Sequence, residues 1–239
     1  MKLIPEWYEH QYCLIAWPCN KDLYGKIINK ARDEVANVIN EIAKTEHVIV
    51  LSNKEDINEI QNKTDHKNID IIECKLDDSW MRDIAPIFYN EDEKLKSISF
   101  EFNGYGKYPD YLNDNKISKF ISNYLNIPTI TSDLVIEGGA ITYDDKKNLF
   151  STKNVIFNKN RKQKHNSEYI IKELKLLFDL NYIFLFENGL MEDDTDGHVD
   201  NLLVLKSVDS RLSLDSLPLL LFFVTKEGKV TLLFVIPFQ

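Results

Sequence analysis

Cysteines are few in this sequence, and their small number argues against two classes of protein. The 239 residues contain three: Cys13, Cys19 and Cys74. An odd count without regular spacing argues against a fold held together by disulfides. No two of them form a Cys-x-x-Cys motif, so a zinc site built on thiolates has no support either.

Long apolar runs and an excess of positive charge are also lacking. The longest apolar run, residues 217–224, has eight residues, whereas a helix needs about 20 to cross a bilayer. Pro5, Glu6 and Glu9 interrupt the N-terminal segment, which does not resemble a secretory signal. The net charge of −9 disfavours nucleic acid and suits a cationic ligand. We therefore expect a cytoplasmic protein with neither membrane nor nucleic acid as partner.

The pattern that is present predicts an α/β or α+β fold class. Apolar residues at helical spacing predict helices over residues 22–44 and 166–178. A charged turn at residues 144–147 predicts a hairpin between two short strands. No Gly/Ser/Pro linker divides the chain, so a single domain over residues 1–239 is expected. Further strands are predicted at residues 47–52, 68–74, 84–90, 97–103, 129–137, 182–186 and 199–206.

Three polar clusters interrupt this pattern at predicted strand ends, where α/β proteins keep their sites. They are "LDDSWMRDIAP" (76–86), "VIEGGAI" (135–141) and "EDDTDGHVD" (192–200). The first also fits a surface loop with internal Asp–Arg pairs. The second fits either a tight turn or a place where the backbone passes close to other groups, since paired glycines permit both.

The third cluster gathers carboxylates around one imidazole, His198. A calcium loop starting at Glu192 would need an acid at its twelfth position, which is Leu203. A transition-metal site usually needs a second imidazole or a thiolate, so we expect no metal and no cofactor. On the predicted strand from residue 199, His198 and Asp200 point to the same side. Carboxylates bind a planar guanidinium in bidentate fashion, and a histidine can move its protons. A cage for a cationic substrate fits best, with Glu192, Asp193 and Asp196 as solvated loop residues.

Taken in order, these clusters resemble the agmatine deiminase and bacterial peptidylarginine deiminase family. The resemblance runs from about residue 4 to about residue 201. It rests on five blocks: "PEWYEHQYCLIAWP", "DDSWMRDIAPIF", "FNGYGKYPDYLND", "IEGGAI" and "DDTDGHVDN". It implies an α/β propeller of ββαβ units, five in the family, of which this chain lacks the last part. A small cationic guanidine such as agmatine is the implied partner.

The resemblance also implies a mechanism. A cysteine thiolate attacks the guanidinium carbon, ammonia leaves, and water hydrolyses the thiouronium intermediate to a ureido product. With agmatine the product is N-carbamoylputrescine, a precursor of putrescine. The carried-over roles are substrate binding by Asp83 and Asp200, acid–base catalysis by His198, support of the histidine or substrate by Glu137, a pocket wall from Trp80, and a further substrate contact by Asp194.

The sequence departs from the family in its C-terminal part. The family's Gly-Asn-x-His-Cys segment has no counterpart, so the nucleophile is unknown, and residues 206–239 are expected to form a divergent apolar tail. An incomplete propeller exposes apolar edges and favours a homo-oligomer. The alternatives left open are a catalytically dead guanidinium-binding relative, a peptidylarginine deiminase, a metal-dependent hydrolase and a non-enzymatic interaction module.

Overall fold

The computed structural model describes residues 2–65, 67–205, 219–224 and 230–235. Strands and helices alternate along them, which confirms the α/β class. The strands are β1 (Lys2–Leu3), β2 (Tyr12–Ala16), β3 (His47–Ser52), β4 (Ile69–Glu73), β5 (Ile87–Glu91), β6 (Lys94–Glu101), β7 (Thr129–Val135), β8 (Thr142–Tyr143), β9 (Asn148–Thr152), β10 (Tyr182–Phe186), β11 (Leu219–Val224) and β12 (Val230–Val235). The helices are α1 (Lys21–Tyr24), α2 (Ile28–Ile42), α3 (Ile57–Lys63), α4 (Met81–Ile84), α5 (Ile117–Tyr124), α6 (Lys153–Ile156) and α7 (Ser167–Phe178).

Two sheets repeat one strand order. In each, an antiparallel hairpin is followed by a helix and a parallel strand: β5–β6–α5–β7, then β8–β9–α7–β10. This is the ββαβ unit that the resemblance implies, and it confirms the predicted hairpin around residues 144–147. Closure of such units into a five-fold ring stays a prediction.

A third sheet consists of β2, β3 and β4, which are parallel, with α2 and α3 in the connections. The apolar run of β3 is almost entirely buried, as expected of a strand covered on both faces. Three polar segments lead to the candidate site. Residues 74–86 follow β4, residues 137–141 follow β7, and residues 193–201 come after β10.

The predicted helix over residues 22–44 is interrupted. Gly25 has φ of +50°, which ends α1, and a short 3₁₀ turn at Gly25–Ile27 precedes α2. Leu23 and Ile27 therefore remain exposed although they fit the helical spacing. The predicted helix at 166–178 is confirmed by α7, which spans Ser167–Phe178. The Asn166 side chain caps it by accepting a hydrogen bond from the backbone N–H of Tyr169.

The predicted strand at residues 199–206 is wrong. Val199–Asn201 forms a 3₁₀ turn, and the backbone N–H groups of Leu202 and Leu203 donate to the carbonyl of Val199. Val199, Leu203 and Leu205 are buried together in a small apolar cluster. A turn thus buries the same apolar residues that a strand would bury, and apolar periodicity alone does not distinguish the two.

The β11–β12 hairpin is antiparallel and lies within the predicted tail. The rest of that tail, residues 206–218, 225–229 and 236–239, lies outside the described residues, and the single-domain expectation stays a prediction. Among the helices of the described ranges, none has the length and apolar character needed to cross a membrane.

Candidate active site

Three segments that are distant in sequence converge on the imidazole of His198, whose residue is 2% exposed. The Nδ1 atom lies 3.6 Å from Asp83 Oδ1 and 3.9 Å from Asp200 Oδ1. The Nε2 atom lies 3.5 Å from Glu137 Oε2, a long contact rather than a well-formed hydrogen bond. The structure thus brings together the four residues that the resemblance assigns to catalysis.

Gly139 makes this convergence possible. A Cβ atom at this position would lie 2.6 Å from His198 Nδ1 and 2.7 Å from one carboxylate oxygen each of Asp83 and Asp200. These distances are far below van der Waals contact, so any side chain would displace the three groups. The paired glycines therefore serve the close approach that was one of the two interpretations of "VIEGGAI".

Asp83 is held in place by two hydrogen bonds. It lies on the single-turn helix α4, and its Oδ1 accepts from the backbone N–H of Gly139 at 2.9 Å. Its Oδ2 accepts from the hydroxyl of Tyr105 at 2.8 Å. Burial raises the pKa of Asp83, although the neighbouring His198 opposes this rise. Two donors and an imidazole leave Asp83 little freedom to rotate.

Glu137 is buried and paired with a buried guanidinium. Arg161 Nε donates to Glu137 Oε1 at 2.9 Å, and both side chains are completely buried. Burial alone would raise the pKa of Glu137, but His198 and Arg161 hold it below its ordinary value. Glu137 is therefore a carboxylate that faces His198.

The pKa of His198 is raised above its ordinary value. Burial alone lowers it, but the carboxylates of Glu137, Asp83 and Asp200 stabilise the imidazolium more strongly. Burial also raises the pKa of Asp200, and His198 opposes that rise. An imidazole surrounded by carboxylates in this way suits general acid–base chemistry near neutral pH.

The loop before His198 is more ordered than the sequence suggests. The Asp193 Oδ2 atom accepts from the backbone N–H groups of Gly197 and His198 at 2.8 and 2.9 Å. Asp196 pairs with Arg161 and with Lys107. The prediction that Asp193 and Asp196 are solvated loop residues is therefore wrong, because each ties the loop to a fixed partner.

A cavity of about 850 Å³ opens above this cluster. Trp80, Asp194 and Asp200 line it, so both predicted substrate-binding residues lie at the same opening as the catalytic group. Trp80 is half-exposed, and its indole N–H donates to Asp78. Further acids of the lining are Asp22, Asp78, Asp110, Asp114, Glu192 and Asp193. The cavity is strongly acidic and suits a cation.

The chain's three cysteines are poorly placed for nucleophilic attack. None of them lines this cavity. Burial raises the pKa of all three thiols, to about 12 for Cys19 and about 11 for Cys74, and Cys13 is raised as well. A thiolate is the reactive form, so this environment suppresses nucleophilicity.

Two residues of the site have no assigned role in the sequence-based interpretation. Tyr105 lies in the block "FNGYGKYPDYLND", but nothing in that block shows that its hydroxyl reaches Asp83. Arg161 lies in a basic loop, "NKNRKQK", which reads as surface sequence although the side chain is completely buried. Arg82 pairs with Glu6. In the described ranges, no group of three or more His, Cys, Asp or Glu residues is arranged to hold a metal ion.

Comparison with known proteins decides the family. The Porphyromonas-type peptidyl-arginine deiminase family matches residues 2–210. The chain belongs to this family. Its relatives include the agmatine deiminase of Stutzerimonas stutzeri, which is 30% identical over 203 residues, covering 82% of this chain and 55% of the relative.

Solved structures agree with this assignment. An agmatine deiminase of C. jejuni with substrate bound has a TM-score of 0.77 at 27% identity, covering 87% of this chain and 62% of its own. The agmatine deiminase of Enterococcus faecalis has a TM-score of 0.80 at 18% identity, covering 88% and 62%. The latter shares the fold. The chain spans little more than half the length of these relatives.

Proposed function

We propose that the acidic cavity binds a small cationic guanidine such as agmatine. The observation that carries the proposal is the pair Asp83 and Asp200, whose carboxylates flank the same nitrogen of His198 at the cavity floor. A guanidinium is planar and presents forked N–H donors that carboxylates accept in pairs. Trp80 at the opening offers a ring face for the cation.

The acids of the lining favour agmatine over arginine. Asp110 and Asp194 line the cavity together with the Trp80 side chain. The far end of agmatine is an amine, which these acids attract, whereas the carboxylate of free arginine would be repelled. A peptidylarginine lacks that repulsion and also lacks the attracting charge, so it is the weaker candidate.

His198 supplies the proton handling. The carboxylates around it raise its pKa, which favours the imidazolium form, and an imidazolium can protonate the departing ammonia. Asp83 and Glu137 orient the ring from its two nitrogens. In the family mechanism, a thiolate attacks the guanidinium carbon, ammonia leaves, and water releases the ureido product.

The thiolate is the component that Cys13, Cys19 and Cys74 do not supply, because their pKa values are raised and they lie off the cavity. The function that the described residues support is therefore guanidine binding with acid–base assistance, the non-covalent part of a guanidine deiminase. The alternative supported by the same observation is a relative that binds guanidines without turnover.

Two measurements on the purified chain test this proposal. Calorimetric titration should show agmatine binding, with much weaker binding of putrescine, which has an amine in place of the guanidinium. Equal affinity for both would contradict a guanidinium cage. A ureido-product assay with agmatine, with and without chelator, then separates the candidates. Product that survives chelator indicates a deiminase with a nucleophile outside our assignment, and binding without product indicates the non-catalytic relative.

A further inference from the structure

Arg161 is a completely buried residue that no step of the proposed function uses. It ends a 3₁₀ turn at Lys159–Arg161, which packs so tightly on the neighbouring loop that a Cβ on Gly106 would lie 1.8 Å from the carbonyl oxygen of Asn160. Arg161 lies beneath the cavity and does not line it. Direct contact between its guanidinium and a bound guanidine is therefore excluded by the surrounding residues.

The guanidinium of Arg161 joins three separate parts of the site. Its Nε and Nη2 atoms donate to the two oxygens of Glu137 at 2.9 and 3.4 Å. Its Nη2 also donates to the carbonyl of Thr195 at 2.6 Å, and its Nη1 to Asp196 Oδ2 at 3.0 Å. A further bond from Nη1 reaches the carbonyl of Tyr105 at 3.1 Å. One side chain thus holds the carboxylate behind His198, the turn before it, and the residue that binds Asp83.

Building on the proposed function, we propose that Arg161 is a positioning residue for proton transfer at His198. It holds Glu137 as a carboxylate against the Nε2 atom, and it holds the turn at Thr195 so that the imidazole sits between Glu137 and Asp83.

The charges around these groups agree with this role. His198 faces the carboxylates of Asp83, Glu137 and Asp200 and the ring of Tyr105. Glu137 pairs with His198 and Arg161, and its charge also acts on the carboxylate of Asp83. Asp196, which also pairs with Arg161, is neutralised further by Lys107. Without the Arg161 cation, a buried Glu137 would take up a proton. A protonated Glu137 no longer stabilises the imidazolium, so the imidazole of His198 should titrate at lower pH.

The test is an NMR titration of the histidine side chains in the ligand-free protein. The chain has five histidines, and the signal of His198 is identified by its loss in the His198→Gln variant. In Arg161→Met we expect the imidazole to bind its proton about tenfold more weakly, a fall of about one pKa unit. Arg161→Lys should give a smaller fall, because one ammonium cannot pair both Glu137 oxygens and the turn.

Arg32 provides the matched control. It is also a buried arginine, paired with Asp56 at 2.8 Å and with Glu59 at 2.5 Å, but it packs α2 against α3 away from the cavity. Arg32→Met should lose comparable stability and leave the His198 titration unchanged. This separates positioning from a general loss of fold stability.

The proposal is overturned if folded Arg161→Met titrates as the wild type does. Should Arg161→Met not fold, Arg161→Lys decides in the same way, since an unchanged titration there contradicts the proposal as well. The titration needs no ligand. A failure of agmatine to bind the wild type would therefore count against the proposed function and leave the result on Arg161 standing.

Discussion

Two carboxylate clusters lie side by side in this protein, and both draw on the segment at residues 76–86. In one, Asp114 accepts the backbone N–H groups of Asp77 and Asp78 at 2.8 and 3.0 Å, and Asp77 accepts two N–H groups of Asn113. In the other, Asp83 and its partners Glu137 and Asp200 surround the imidazole of His198.

The difference lies in what the carboxylates face besides backbone N–H groups, since Asp83 also accepts one from Gly139. The carboxylates of Asp77 and Asp114 are bonded to backbone that folding has already placed, so they fasten two loops together. Those of Asp83 and Asp200 face a titratable ring and an open cavity, so they keep capacity for a cationic ligand. Asp77 and Asp83, six residues apart, thus take a structural and a functional role, and the predictions below test that division.

The largest effect is expected from Gly139→Ala. The added Cβ must displace His198, Asp83 and Asp200 together, because all three lie within 2.7 Å of its position. Agmatine binding measured by calorimetry should be abolished. Urea unfolding of the same variant is the control: a cooperative transition shows that Gly139→Ala is folded, so that lost binding reports on the site. Retained binding in Gly139→Ala would show that the three groups do not form the cage.

Asp83→Asn should weaken agmatine binding by about 30-fold or more, since breaking a buried charge pair costs about 2–5 kcal/mol. Asp200→Asn should weaken it by less, because the Asp200 side chain is 35% exposed and water screens its charge. Asp77→Asn is the matched change in the other cluster. It should leave agmatine affinity within about twofold and lower the free energy of unfolding by about 1–3 kcal/mol, because a backbone N–H loses its acceptor. If Asp77→Asn weakened binding as much as Asp83→Asn, the two clusters would not have separate roles.

The clusters should also differ in the pH range over which they change stability. The pKa of His198 is raised in the folded state, so its stabilising contribution is complete below its unfolded value, about 6.5, and is lost as pH rises through the folded value. Burial raises the pKa of Asp114 to about 7 from 3.8, so its contribution falls as pH rises between those values.

Urea unfolding at a series of pH values measures the contributions of both His198 and Asp114 to stability. The difference in unfolding free energy between wild type and His198→Gln should shrink above pH 6.5, and that between wild type and Asp114→Asn should shrink between about pH 4 and pH 7. Differences that do not depend on pH would mean that neither group has a shifted pKa.

The smallest effect is expected from Asp194→Asn. Asp194 is exposed at the cavity opening, where a single charge contributes about 0.2–1 kcal/mol and is screened by salt. Agmatine affinity should fall by no more than about fivefold at low salt and by less at high salt. An effect as large as that of Asp83→Asn would place Asp194 inside the cage rather than at its edge.

Much of the fold follows from local pattern. Buried apolar strands such as His47–Ser52 and the capped helix Ser167–Phe178 were predictable because burial and capping leave signals within a short window. The failures lie where two structures satisfy one pattern. Gly25 stops a helix whose spacing continues, and Val199 with Leu203 packs through a turn as well as through a strand.

By itself, the sequence determined the family, the alternation of strands and helices, and the acids and imidazole available to the site, because these reside in residue types and their spacing. Only the tertiary structure decided which acids face His198, that Gly139 leaves room for them, and that Arg161 is buried behind Glu137. Most of these depend on contacts between residues 24 to 115 positions apart, where direction and distance are set by packing and leave no local trace.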